Sequence, residues 1–294
     1  MKLGPHPIAE LLIRGGLSDA DSFEVISGRV RDRDDVHALR CSKSGVIILN
    51  RVDHIGDETY LNAQDLSYWG KGNRDTLLAT TADDDQRRAG FLEQLGAAGR
   101  YLDIGTGLGG ILDRVKARFD AVSAVELQSG ARDMLKSLGY EVFASISEAP
   151  KHAFDVISLF HVYEHIPEQI AFLSDVRQLL KPSGRIVIEV PHAKDALLSL
   201  YKSADFQSFT LWSQHLILHT RESLEVFLQQ VGMRSVKIQG IQRYPLANHL
   251  HWLAMHKPGG HKTWLQLRTP GLEREYELIL DRLDLTDTLI AVCS

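Results

Sequence analysis

The sequence predicts an α/β fold with a doubly wound, mostly parallel sheet. From residue 101 onwards, short and almost entirely apolar runs alternate with segments of helical periodicity. Strands without a polar side are typical of a parallel sheet that helices cover on both faces. A glycine-rich turn directly follows the first of these strands, at the end of the sheet where such folds bind their ligands.

The elements of this segment can be read in chain order. Strands are predicted at 101–104, 121–126, 141–144, 155–160, 185–190, 235–241 and 287–292. Helices are predicted at 111–119, from the end of the second strand to about 138, and at 170–180, 221–231 and 271–284. With 294 residues, 44% of them hydrophobic, the chain can build one large domain with a full core.

Residues 1–82 are predicted to be an extension that precedes the main domain of residues 83–294. The extension starts with a short amphipathic segment around residues 8–12, and residues 36–50 indicate two strands joined by a tight turn. Residues 55–80 are polar and predict a loop, followed by a helix over 83–95. Within the main domain, residues 242–285 are predicted to be an insertion before the last strand.

Composition excludes several classes of protein. The formal net charge of −5 gives no overall attraction to nucleic acid. The chain has only two cysteines, Cys41 and Cys293, which argues against a disulfide framework and for a reducing, cytoplasmic location. The first residues lack the apolar core of a secretory signal, and no run approaches the roughly 18 apolar residues of a membrane span.

The glycine-rich turn carries the strongest local signal. Gly105 and Gly107 let backbone N–H groups approach a ligand closely, although a G-x-G-x-x-G pattern alone suits dinucleotides as well as S-adenosylmethionine (SAM). Asp103 precedes the turn, where a carboxylate would repel a pyrophosphate but can hold a cationic amino group. Glu126 ends the second strand and can accept both hydroxyls of a ribose. The alternative, in which both acids only cap strand ends, stays open.

Several motifs in the expected order resemble a class I SAM-dependent methyltransferase over about residues 83–240 and again at the final strand. LDIGTGLGG resembles the first motif of that family and AVELQ the acidic second motif. FDVISLFHVYEHIPEQIAFLSDVRQLLKPSGRIVIEVPH resembles the fourth strand, helix and fifth strand of a branch with an "EH" pair after strand four. The resemblance implies a Rossmann-like sheet of seven strands, the last antiparallel, and SAM as the cofactor.

The same resemblance implies the cofactor-binding residues. The methionine part of SAM would face Asp103, Gly105, Thr106 and Gly107. Glu126 would bind the ribose and Leu127 would flank the adenine, while Phe160 and His161 would lie beside the sulfonium.

Two histidines are candidates for the catalytic base, because imidazole is the natural proton acceptor near neutral pH. FTLWSQHLILHTRESLEVFLQQVGM resembles a segment of the sugar-methylating branch whose histidine lies in the acceptor pocket. This likeness favours His215 as the base, although Gln214 replaces the usual acid, and it places His219 in the same pocket. His165 of the "EH" pair is the second candidate, with an equally weighted role in orienting its loop.

The polar and aromatic run at 242–256 predicts a wall for the acceptor. Arg243 could clamp a phosphate, and Tyr244 and His249 could contact a polar ring. The acceptor is accordingly expected to be small and polar, for example a nucleotide-linked or polysaccharide sugar. The alternative is a surface excursion or a homodimer contact.

No bound metal is expected. His161 and His165, like His249 and His251, have spacings that zinc sites use, but neither pair has an evident acid or cysteine partner. The sequence at Cys41 resembles a zinc knuckle that has lost its second cysteine.

Two rival functions stay open: a non-catalytic SAM-binding protein, and a nicotinamide-dependent oxidoreductase that Asp103 disfavours.

Overall fold

The computed structural model describes residues 5–56 and 72–294. Most of the predicted loop at 55–80, including Tyr60, Tyr68 and Trp69, lies outside the described residues. Within the described part of the chain, no helix is both long enough and apolar enough to cross a membrane.

The N-terminal region forms a helix and a small antiparallel sheet. Helix α1 (Pro7–Arg14) buries Ile8, Leu11 and Leu12, as its amphipathic pattern predicts. Strands β1 (Phe23–Ser27), β2 (Ala38–Cys41) and β3 (Ile47–Leu49) pair in that order. The β2–β3 hairpin was predicted, whereas β1 was not.

The remaining strands follow along the chain. They are β4 (Arg100–Ile104), β5 (Ala121–Val125), β6 (Glu141–Phe143), β7 (Phe154–Phe160), β8 (Leu180–Pro191), β9 (Ile217–Leu218), β10 (Lys237–Ile241) and β11 (Thr288–Cys293). Seven of them form the main sheet in the order β10-β11-β8-β7-β4-β5-β6, and β11 is antiparallel to both of its neighbours. The predicted doubly wound sheet with an antiparallel last strand is therefore confirmed.

Ten further helices follow α1 in the described residues. They are α2 (Arg74–Gln94), α3 (Gly110–Val115), α4 (Ser129–Ser137), α5 (Gln169–Leu179), α6 (Ala196–Ser199), α7 (Ala204–Thr210), α8 (Arg221–Gln230), α9 (Leu246–Met255), α10 (Gly260–Thr263) and α11 (Pro270–Arg282). Short 3-10 turns lie at Ile146–Glu148, Tyr163–His165 and Leu265–Leu267.

Helix α2 corrects the prediction of a helix confined to residues 83–95. It begins at Arg74, where the Asn73 side chain accepts a hydrogen bond from the Thr76 amide at 3.0 Å, a standard N-cap. Its buried residues are only Leu77, Asp85 and Leu92, so it has little apolar periodicity from which to predict its first turns. The predicted boundary between residues 82 and 83 consequently falls inside this helix.

Both faces of the main sheet are covered. One hydrophobic cluster packs Tyr101, Leu112 and Leu135 on one side of the sheet. A larger cluster on the other side joins Phe227 of α8 to Ile48 of the small sheet, and β3 pairs with β9. The N-terminal sheet thus shares its core with the main sheet and fixes the loop that leads into β9.

Candidate functional site

Two cavities open at the carboxyl ends of β4, β5, β7 and β8. The larger cavity has a volume of about 840 Å³ and the smaller one about 480 Å³. Gly105, His161 and His165 line both, so the two cavities adjoin at the end of β4 and the loop after β7. This is the edge at which open α/β sheets bind ligands.

The glycine-rich turn lies between the cavities and is held by Glu126. Gly105 has a φ of +72°, and a Cβ there would come within 2.5 Å of the Val162 side chain. The Gly107 amide donates to one carboxylate oxygen of Glu126 at 2.8 Å, and the Gln128 amide donates to the other at 2.8 Å. The capping role left open for this acid is therefore present, but each oxygen keeps a second lone pair for a ligand.

Asp103 lies beneath the turn rather than in the wall of either cavity. Its carboxylate accepts a hydrogen bond from the Ser158 hydroxyl, which in turn lies 2.5 Å from the hydroxyl of Tyr101. Burial raises the pKa of Asp103 to about 6. Thr106, also predicted as a cofactor residue, lines the larger cavity directly above it.

The smaller cavity suits a nucleoside. Glu126 and Leu127 line it together with Ser145, which follows the third parallel strand along the chain. The side-chain carbonyl oxygen of Gln128 is buried there and accepts no hydrogen bond from the described residues. Such an acceptor beside a carboxylate matches the hydroxyl and amino groups of a nucleoside.

Phe160 and His161, predicted to lie beside the sulfonium, line the larger cavity, and both belong to a network of charges. The Arg88 guanidinium lies 4.9 Å above the Phe160 ring. Arg243 donates to the Nε2 of His161 at 2.9 Å, so the Nδ1–H of His161 faces Glu164 at 3.1 Å.

Arg243 lines the larger cavity but forms an ion pair with Asp84 of α2, its Nε lying 3.0 Å from the carboxylate. The expectation that this guanidinium clamps a phosphate is therefore not supported by its contacts. Tyr244, 39% exposed, lies at the rim of the same cavity.

Helix α2 supplies acidic and basic groups that sequence reasoning missed. Arg87 and Arg88 both donate to Glu189, which is fully buried at the end of β8. Asp84 and Asp85 line the larger cavity from the same helix. The sequence offered one signal for these groups, namely acidic and basic residues three or four positions apart within 84–88. Such a pattern is equally typical of a solvated helix.

Glu164, His165 and His215 form a compact cluster beside the larger cavity. One oxygen of Glu164 lies 3.7 Å from the Nε2 of His165, and the rings of the two histidines are 5.2 Å apart. Burial, together with the nearby His165, lowers the pKa of His215 to about 3. This value departs from the near-neutral titration that the sequence argument assumed for a base. The histidine pairs with zinc-like spacing had no evident acidic partner in the sequence, and Glu164 is such a partner for His165.

Two predicted acceptor-side histidines lie elsewhere. His219 is fully buried and bonded to Ser223 at 3.0 Å, with its ring stacked on Tyr163, and it does not line either cavity. His249, on α9, is likewise buried and lies 2.6 Å from the hydroxyl of Tyr276. Both positions correct the prediction, because these imidazoles find their partners inside the core instead of in the pocket.

The acceptor side of the larger cavity carries aromatic and acidic groups that sequence reasoning also missed. Phe206, Phe209 and Trp212 line one wall, and the carboxyl groups of Asp195 and Asp287 line another. Burial, reinforced by the neighbouring Asp287, raises the pKa of Asp195 well above its usual value.

Comparison with known proteins identifies the family of this chain. Residues 75–238 match a family model described as a methyltransferase domain. A ubiquinone biosynthesis O-methyltransferase of Burkholderia pseudomallei is 27% identical over 163 residues, covering 50% of this chain and 70% of that protein. Among solved structures, a SAM-dependent methyltransferase from Archaeoglobus fulgidus is 21% identical, with a TM-score of 0.46 and coverage of 76% of this chain and 94% of that one.

Proposed function

The chain belongs to the methyltransferase domain family and is a SAM-dependent methyltransferase, and we propose that its acceptor is a small polar molecule bound in the larger cavity. One observation carries this proposal: the nucleoside-sized cavity and the acceptor-sized cavity adjoin at Gly105, His161 and His165. A donor held in one cavity can thus present its methyl group to the other.

We assign the cofactor side from the contacts around the glycine-rich turn. Glu126 and Gln128 offer acceptors to ribose hydroxyls, and Leu127 offers an apolar edge to adenine. Asp103, beneath the turn, favours a cationic amino group near Gly105 and Gly107. SAM supplies a methyl group on a positively charged sulfur, and the residues of this chain hold it in line with the acceptor.

The acceptor that fits best is a sugar or similar polyol. The apolar wall of Phe206, Phe209 and Trp212 suits the C–H face of a ring, and Asp195 can hydrogen-bond to hydroxyl groups. A phosphate is less suited, because Arg88 and Arg243 are both paired with carboxylates. The proposal therefore favours a sugar without a nucleotide diphosphate at this wall.

His215 is proposed to activate the acceptor hydroxyl. It lines the larger cavity near His165, which adjoins the cofactor side. At neutral pH its imidazole is uncharged and therefore able to accept a hydrogen bond from a hydroxyl.

A phenolic hydroxyl is the second candidate acceptor. It is favoured by the aromatic wall and by the Burkholderia relatives, whose names describe O-methylation in ubiquinone biosynthesis. A carbohydrate acceptor is the better match to Asp195, which lines the same cavity.

The test is a panel of acceptors incubated with radiolabelled SAM and the full-length protein. Methylation of sugars or polyols, and of no phenol, supports the proposal, whereas methylation of phenols alone selects the second candidate. Gly107→Val serves as the control, since a side chain at its φ of +58° distorts the turn. If SAM binds and no panel member is methylated, the non-catalytic alternative gains support.

A further inference from the structure

The geometry points to a divalent metal site formed by Glu164, His165 and His215 beside the larger cavity. The ligand atoms that these residues offer all lie within 4.8 Å of one another. Two imidazoles and one carboxylate are typical ligands for zinc and for other first-row transition metals, whereas magnesium and calcium prefer oxygen alone. We expect a cation such as Zn²⁺ or Mn²⁺ to bind there.

Two buried polar atoms of the cluster have no partner among the described residues, and this favours a ligand there. One oxygen of Glu164 and the Nδ1 of His215 make no hydrogen bond with any described residue. The Glu164 side chain is 0% exposed, so solvent does not compensate its second oxygen. Buried polar atoms in proteins nearly always have partners, and a metal ion would satisfy both of these at once.

The backbone holds the three side chains in position. Glu164 and His165 belong to the 3-10 turn after β7, and His215 belongs to the loop before β9. The Leu216 amide donates to the Glu164 carbonyl at 2.9 Å, which ties the two segments together. Trp212 packs its ring against both imidazoles, with centroid distances of 6.3 and 5.4 Å.

A neighbouring group orients the carboxylate as in known metal sites. His161 faces the other oxygen of Glu164 at 3.1 Å, the kind of outer hydrogen bond that fixes a ligating carboxylate.

The open side of the site faces the acceptor. His165 and His215 both line the larger cavity, so a hydroxyl oxygen of the acceptor can complete the coordination. With the ion bound, His215 acts on the acceptor hydroxyl through the metal instead of by a direct hydrogen bond. The metal-bound hydroxyl loses its proton to solvent more easily than a free one. Its oxygen then forms a bond to the methyl carbon while the carbon–sulfur bond breaks and sulfur keeps the electron pair. This consequence rests on the proposed methyltransferase reaction, whereas metal binding itself does not.

The experiment measures metal content and SAM-site binding on the same full-length protein. After EDTA dialysis, the wild type is titrated separately with Zn²⁺, Mn²⁺ and Co²⁺ and analysed by elemental analysis, calorimetry and, for Co²⁺, visible absorption. We expect about one metal ion per chain. Glu164→Gln and His215→Asn should weaken its binding at least about 100-fold, beyond the usual loss for an outer partner.

His256→Asn is the matched control, because that histidine pairs with Asp205 on the surface at 2.8 Å and is 68% exposed. It should retain full metal content, and all variants should bind S-adenosylhomocysteine, which shows that they are folded. A wild type that takes up less than about a tenth of an equivalent of Zn²⁺, Mn²⁺ and Co²⁺ overturns the inference. So does equal metal uptake by Glu164→Gln.

The two proposals fail in different ways. If the wild type takes up no metal ion but methylates its acceptor, the metal inference is wrong and the proposed function stands. If the cluster binds one metal ion but no acceptor is methylated, the metal inference stands and the proposed function is wrong.

Discussion

Removal of the Glu126 carboxylate tests the cofactor site most informatively. The side chain is 5% exposed and accepts two backbone N–H groups, from Gly107 and Gln128, at 2.8 Å each. Glu126→Ala leaves both amides buried without a partner, at about 1–3 kcal/mol each, so the free energy of unfolding should fall by about 2–6 kcal/mol. Loss of the ribose acceptors should weaken S-adenosylhomocysteine binding by about 5–150-fold, equivalent to about 1–3 kcal/mol.

Glu126→Gln separates these two effects. An amide keeps one acceptor oxygen and turns an NH₂ donor towards the other backbone N–H, so its losses should lie between those of the wild type and Glu126→Ala. Urea unfolding measures the first quantity and isothermal calorimetry the second. If Glu126→Ala binds S-adenosylhomocysteine within twofold of the wild type, the assignment of this residue to the nucleoside is refuted.

Three further outcomes follow from the contacts of the site. Burial raises the pKa of Asp103 to about 6, and its ionised form favours the ammonium group of SAM. Calorimetry should therefore show that the SAM affinity of the wild type rises between pH 5 and 7, whereas that of Asp103→Asn does not. A flat wild-type profile contradicts this role. His215→Ala should lower kcat by roughly 10²–10⁴-fold with unchanged SAM affinity. His219→Ala should instead lower the free energy of unfolding in urea by about 2–4 kcal/mol. The reverse pattern would show that His219, not His215, acts in the pocket. Arg243→Met should cost about 1–3 kcal/mol of stability, because Asp84 loses one arginine partner and keeps Arg87 at 3.0 Å. The double variant with Asp84→Asn should cost less than the sum of the single losses, which additive losses would disprove.

The strands of the main sheet could be predicted because each of them depends on a local pattern. Each parallel strand is a short apolar run, and Gly105 and Gly107 indicate the turn after β4. Asp103 and Glu126 follow from their positions at strand ends, since the ends of parallel strands meet at one edge. Strand β1 escaped prediction because it exposes residues on both sides and finds its partner only in β2.

The acceptor side could not be predicted in the same way, because it depends on contacts between distant segments. Nothing near His219 or His249 in the chain indicates that their partners are Gln169, 50 residues away, and Tyr276, 27 residues away. The carboxylate of Glu164 meets His215 because the Leu216 amide donates to the Glu164 carbonyl and β9 pairs with the N-terminal sheet. Sequence periodicity does not predict such contacts between distant segments.

Binding of SAM in the smaller cavity, against the glycine-rich turn, is the central prediction. Isothermal calorimetry on the full-length protein with SAM, S-adenosylhomocysteine and NAD tests it most directly. We expect one molecule of SAM or S-adenosylhomocysteine to bind per chain, and no heat of binding from NAD, because Asp103 disfavours a pyrophosphate beside the glycine-rich turn. Binding of NAD with no response to SAM would contradict the claim.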